Sequence, residues 1–177
     1  MPESTAIKAG YVARYDGMTF DLARSSLHLA SLLIADKPLR KLYHQYDLKH
    51  LEHASDDIKE SEIIRLMVEI ATQYRLMESG VPPSERSKHY SDGVVGALTV
   101  DGVSGAIDLS MREACNKIIH AQNIIFDVTK LRRRNDHYYN PTIHAHGQKG
   151  RKKWEALIDV VWFCNAANQP IEKLLIE

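Results

Sequence analysis

The chain has 177 residues, 44% hydrophobic and 26% charged, the size and composition of one globular domain able to bury a core of its own. Its 23 Lys and Arg balance 23 Asp and Glu. This excludes a global field that would draw the molecule onto nucleic acid or a membrane, so any polyanion contact must come from a local basic patch.

No apolar run approaches the ~20 residues needed to cross a bilayer, and the opening MPESTAIKAG lacks the apolar centre of a secretion signal. The two cysteines, Cys115 and Cys164, sit in apolar-patterned segments. A soluble cytoplasmic protein with buried, reduced thiols is expected, with no membrane partner.

Residues 1–17 are mixed in character and read as a lead-in arm. From Met18 to Ala35, Phe20, Ala23, Leu27, Ala30 and Ile34 recur at helical spacing and predict one apolar face, with Pro38 marking the break. Residues 39–55 fit one or two short helices. From Asp56 to Ser79, Ile63, Leu66, Met67, Ile70, Tyr74 and Met77 predict a long helix, stopped by Gly80 and then Pro82 and Pro83.

Residues 84–109 hold four glycines and read as strand or ordered loop, with Asp101-Gly102 a candidate tight turn. The glycine spacing matches no nucleotide-binding fingerprint. Ser110-Met111-Arg112-Glu113 is a capping box that opens the next helix, with Glu113 able to reach back to the cap.

Residues 123–148 alternate β-type residues around a polar turn and predict a β-hairpin appendage. A last helix is expected from Gly150 to Asn168, with Trp154, Leu157, Ile158, Val161 and Trp162 on one face. The fold expected is mainly α: a single helical-bundle domain over 1–177, with a small β-hairpin insertion before the last long helix.

In the segment SMREACNKIIHAQ, Arg112, Asn116 and His120 fall four residues apart and form a polar stripe, while Met111, Ala114, Cys115 and Ile118 would face the core. Any wet helix face carries such a pattern, but these residue types suit one chemistry. His120 can take or give a proton near neutral pH, Arg112 can hold a phosphate in a forked contact, and Asn116 can orient the imidazole or a ribose hydroxyl. Two such helices across a dimer axis would bring two histidines and two arginines into one cleft.

The run Cys-Asn-Lys-Ile-Ile-His-Ala, residues 115–121, resembles the signature of the HEPN superfamily of helical-bundle proteins, in which an arginine, a polar residue often Asn, a few further residues and a histidine lie on a bundle helix at a dimer interface. Asn116 and His120 match the polar residue and the histidine. Cys115 stands where the family has its arginine, and Arg112 lies one turn earlier. The resemblance implies a homodimer that binds RNA or a nucleotide. It also implies, as in many members, a metal-independent endoribonuclease of a toxin–antitoxin or antiviral defence system, or else a non-catalytic binding or regulatory subunit. In this reading His120 is the acid or base, Asn116 orients and Arg112 holds phosphate.

Two basic clusters, Arg132, Arg133 and Arg134 and then Lys149, Arg151, Lys152 and Lys153, would steer RNA if the hairpin brought them together. Tyr138 and Tyr139 between them could stack on bases. His144 and His146 alternate and would share one strand face, but a metal site needs a third ligand, for which His137 or Asp136 are candidates. His50 and His53 sit three apart on an expected helix. No ligand spacing is completed, so neither a metal nor another cofactor is expected.

Overall fold

The computed structural model describes the backbone of residues 3–90, 93–131 and 137–176, and the side chains of 17–170 within those ranges except residue 88. The elements run α1 (Glu3–Ile34), α2 (Asp36–Tyr46), α3 (Lys49–Gly80), α4 (Pro83–His89), β1 (Val94–Val100), β2 (Ile107–Ser110), α5 (Met111–Ile119), β3 (Asn123–Lys130), β4 (His137–Lys149), β5 (Lys152–Asp159) and α6 (Val160–Ile176). The five strands form one antiparallel sheet in the order β2-β1-β5-β4-β3. This corrects the expected helical bundle with a small hairpin: the fold is mixed, a helical layer against a five-stranded sheet.

The hairpin is present as β3 and β4, but β4 is an interior strand that joins it to the rest of the sheet. The larger error lay in the last expected helix. Residues 152–159 are β5, the central strand, and only from Val160 does the chain turn helical. Trp154, Ala156 and Ile158 alternate inward while Glu155, Leu157 and Asp159 alternate outward, the period-2 pattern of a half-buried strand. Trp154 and Ile158 also satisfy a helical period. Pairing with β1 on one side and β4 on the other decides between the two.

The core lies between the layers. Leu22, Leu29 and Leu33 of α1, Ile63, Leu66, Met67, Ile70 and Tyr74 of α3, and Phe163 and Ala167 of α6 meet Ile143, Ala145, Trp154, Ala156 and Ile158 of the sheet. Helix α1 carries two apolar rows, and the row at 22, 29 and 33 is the buried one. The expected face lies outward, with Phe20, Leu27 and Ile34 mostly exposed. Helix α1 also continues back to Glu3, through the segment read as a lead-in. Pro38 sits in the first turn of α2, where a missing N–H costs little, and the break falls at Ala35.

Beneath the start of β4 lies a buried ionic network. Asp36 and Arg40 of α2 and Lys59 of α3 are at most 5% exposed. Asp36 bonds to Lys59 and accepts the Tyr139 backbone N–H at 2.7 Å, while Arg40 forks onto Asp56. The Tyr139 hydroxyl donates to Glu60 at 2.8 Å. These bonds tie the first turns of β4 to α2 and α3. Pro141 follows where the β3–β4 register slips, between Phe126 and Val128, a position where a strand tolerates a missing donor.

Among the described residues no helix is long and apolar enough to cross a membrane.

Candidate functional site

Helix α5 is the connection from one edge of the sheet to the other, since β2 and β3 are the edge strands. It crosses the helical side of the sheet and packs on α3. Its inward residues, Met111, Ala114, Cys115 and Ile118, are all buried, as the wheel predicts. The Ser110 hydroxyl accepts the Glu113 N–H at 3.3 Å. The other half of the capping box differs: Glu113 turns forward, accepting from Asn116 at 3.2 Å and pairing with Lys117 at 3.1 Å. Burial pushes the Glu113 carboxyl up, but the Asn116 and Lys117 contacts outweigh it and hold the group below the usual carboxylate range.

The stripe is therefore largely engaged within the chain itself. Arg112, half exposed, pairs at 3.4 Å with Glu78 at the end of α3, and Glu78 also meets Arg75. Asn116 donates to Glu113. The helix ends at Ile119, and His120 is its C-cap, with its backbone N–H on the Asn116 carbonyl at 3.1 Å. The His120 side chain is exposed. Cys115, in the arginine position of the motif, is fully buried, and desolvation drives its thiol far above the ordinary range. Cys164 is buried as well, its thiol pushed up to about 12 by desolvation. Neither thiol is a nucleophile at neutral pH.

The fold sets α5 beside the turn between β4 and β5. Lys117 Nζ lies 4.5 Å from the centre of the Trp154 ring, and Trp154 covers Gly147, where a Cβ would fall into the indole. Just past α5, the Gln122 N–H bonds to the His146 carbonyl at 2.8 Å. The turn carries Lys149, Arg151, Lys152 and Lys153, all exposed, with Gly150 supplying the left-handed residue at φ 62°. Lys149 is near enough to act on the Glu113 carboxylate. The turn beside the helix that carries Arg112, Asn116 and His120 thus holds four cations in five residues, of which Lys149 reaches toward α5 while Lys153 turns to the outer face of the sheet beside Glu155.

The two basic clusters are not brought together at their roots. Lys130 pairs with His137 at one end of β4, and Lys149 pairs with Lys152 at the other, so 13 residues of strand, roughly 40 Å, separate those ends. Arg132, Arg133 and Arg134 themselves lie outside the described residues, as does Asp136. Tyr139 is buried and bonded to Glu60, and so is not free to stack on a base; Tyr138 lies under Lys37 at 5.1 Å.

The outer face of the sheet holds a second group. His144 and His146 share that face, and their rings stack 6.3 Å apart at 9°. Glu155 of β5 lies directly opposite His146, and its carboxylate meets His144 Nδ1 at 2.8 Å. His137, one of the two third-ligand candidates from sequence, is seven residues up the strand from His144, beside Tyr139. Glu155 was missed because its segment read as helix. The alternation W-E-A-L-I-D was the signal that could have found it.

No family model, no curated protein and no solved structure matches this chain.

Proposed function

We propose that the protein is a cytoplasmic RNA- or nucleotide-binding module, HEPN-like in its α5 segment, that takes its ligand at the end built from α5 and the β4–β5 turn. The observation that carries this reading is the run Lys149, Arg151, Lys152 and Lys153 in a turn that abuts α5, with Lys149 near the Glu113 carboxylate, against a net charge of zero for the whole chain. A phosphate backbone laid across that end would meet point charges from the turn and Arg112 from the helix. The resemblance at 115–121 supports RNA or a nucleotide as the ligand.

Binding without cleavage is the form the geometry favours. Arg112 is already paired with Glu78, and Cys115 offers no charge where the motif has its arginine. A metal-independent ribonuclease, serving in a toxin or defence system, is the second reading, favoured by the exposure of His120 at the end of α5. In that form a homodimer closes over the α5 edge, and His120 moves the proton of the 2′-hydroxyl.

Fluorescence anisotropy with a single-stranded RNA oligonucleotide tests binding. Lys149→Glu, Arg151→Glu and Lys152→Glu together are expected to abolish it, and unchanged affinity would remove the proposed end from consideration. Incubation of the same RNA with excess chelator tests cleavage. Products that vanish with His120→Ala support the ribonuclease; intact RNA with the wild-type chain supports the binding module.

A further inference from the structure

The outer face of the sheet carries a ligand set that none of the foregoing uses. His144 and His146 stand two apart on β4, and Glu155 stands across on β5, opposite His146 and diagonal to His144. One ligand atom from each lies within 4.8 Å of the others. We propose that these three side chains hold one divalent transition-metal ion, Zn²⁺ foremost, independently of the RNA-binding reading.

Four observations converge. The ligand atoms need to close only to about 3.4 Å of one another to sit around a tetrahedral ion at 2.0–2.2 Å, a movement within reach of small side-chain rotations. The backbone beneath them is rigid, because β4 and β5 are interior strands paired on both sides, and rigid elements hold a ligand set better than loops do. His146 has no hydrogen-bond partner for its ring among the described residues, though its ring stacks on His144 and faces Glu155. Finally, all three side chains are partly buried rather than waving in solvent. Both imidazoles and the carboxylate lie on one side of the sheet, so they converge on one point above it.

The chemistry of the set selects the ion. Two imidazoles and one carboxylate suit Zn²⁺, Co²⁺, Ni²⁺ or Fe²⁺, and disfavour Mg²⁺ and Ca²⁺, which want oxygen ligands. Three protein ligands on an open face leave a coordination position for water or a small anion, the pattern of reactive rather than purely structural zinc. That position borders a hollow of about 200 Å³ lined by Thr99, Asp101, His146, Lys153, Trp154 and Glu155. Lys153 there offers a cation to an anionic ligand of the metal. On binding, the ion takes the place of any proton shared between His144 Nδ1 and Glu155, and that proton leaves to solvent.

The test uses the full, untagged chain stripped of metal by chelator dialysis. Zn²⁺ is titrated by calorimetry, and Co²⁺ is added as a visible-absorbing probe of coordination. The expected result is one Zn²⁺ per chain, a Co²⁺ spectrum of low coordination number, and a Zn²⁺-dependent rise in Tm. His146→Ala and Glu155→Gln are each expected to weaken Zn²⁺ binding at least about tenfold. His50→Ala with His53→Ala, at the other close histidine pair, is expected to leave it unchanged. Glu155→Gln nearly preserves shape on an outer face, so it remains informative should His146→Ala fail to fold. A wild-type chain that takes up no ion overturns the proposal, as does binding that survives both sheet variants or is lost with the His50 and His53 pair.

Discussion

Asp36 shows how much can rest on one side chain. It is fully buried, and it answers Lys59, the Tyr139 N–H and, at 3.6 Å, Arg40 Nε. Asp36→Asn keeps the shape and one acceptor but takes the carboxylate from the buried Lys59, while Arg40 keeps Asp56. Breaking such a pair from one side costs about 3–5 kcal/mol, and urea unfolding of the variant should show a loss of that order. Asp36→Leu combined with Lys59→Met should lose less than Asp36→Asn alone, since an apolar replacement leaves fewer orphaned charges.

Glu113 makes the opposite kind of contribution, one that depends on pH. Its folded-state carboxyl is held low by Asn116 and Lys117 against the upward push of burial. A depressed carboxyl adds stability above its unfolded value, and that stability is lost as pH falls through the folded one. The wild type should therefore exceed Glu113→Gln in urea midpoint near neutral pH, and the difference should close in the acid range. A difference that grew on acidification would mean that the Asn116 and Lys117 contacts do not form.

At the scale of elements, the junction of β5 and α6 explains most of what the sequence concealed. Residues 154–162 satisfy two periods at once, and the apolar pattern alone does not choose between them. The strand is fixed by in-sheet pairing with β1, 50 or more residues upstream, and with β4, and the helices that pack on the sheet bury its inner face. The helix start was legible all the same. Asp159 accepts the N–H groups of Val161 and Trp162, both at 3.0 Å, the mark of an N-cap. Reading Asp159 as a cap would have placed the helix after it and freed 152–159 for the sheet. Asp159→Ala should cost about 1 kcal/mol and leave the sheet register unchanged, which a thermal melt and strand-amide exchange would check.

The same contrast runs through the candidate sites. Helix α5, its serine cap and its buried face were readable because their cause is local, within one turn of helix. The alternation of His144 and His146 was readable too, but Glu155 was not, because its place beside them depends on strand pairing. The outward turn of Phe20 and Leu27 has the same origin: two apolar rows on α1 compete, and the packing of α3 and α6 selects the other.

At the scale of the whole molecule, a net charge of zero has a measurable consequence for polyanion binding. With no global field, the salt dependence of RNA binding counts only the cations that touch phosphate. Each contact on a single strand contributes a slope of about −0.7 in log K against log salt, so engagement of the four cations of the β4–β5 turn gives a slope of about −3. Exchanging Lys149, Arg151, Lys152 and Lys153 for Gln, with Gly150 kept for its left-handed turn, should remove that part of the slope, leave only about −0.7 from Arg112, and weaken binding most at low salt. Gln keeps a polar, uncharged side chain at each position and leaves the bond from the Lys153 N–H to the Asp101 carboxylate, so a flattened slope reports lost charge, not a lost fold. If the slope instead survives these four exchanges, the cations that hold RNA lie elsewhere, and the end shared by α5 and the turn is not where the strand runs.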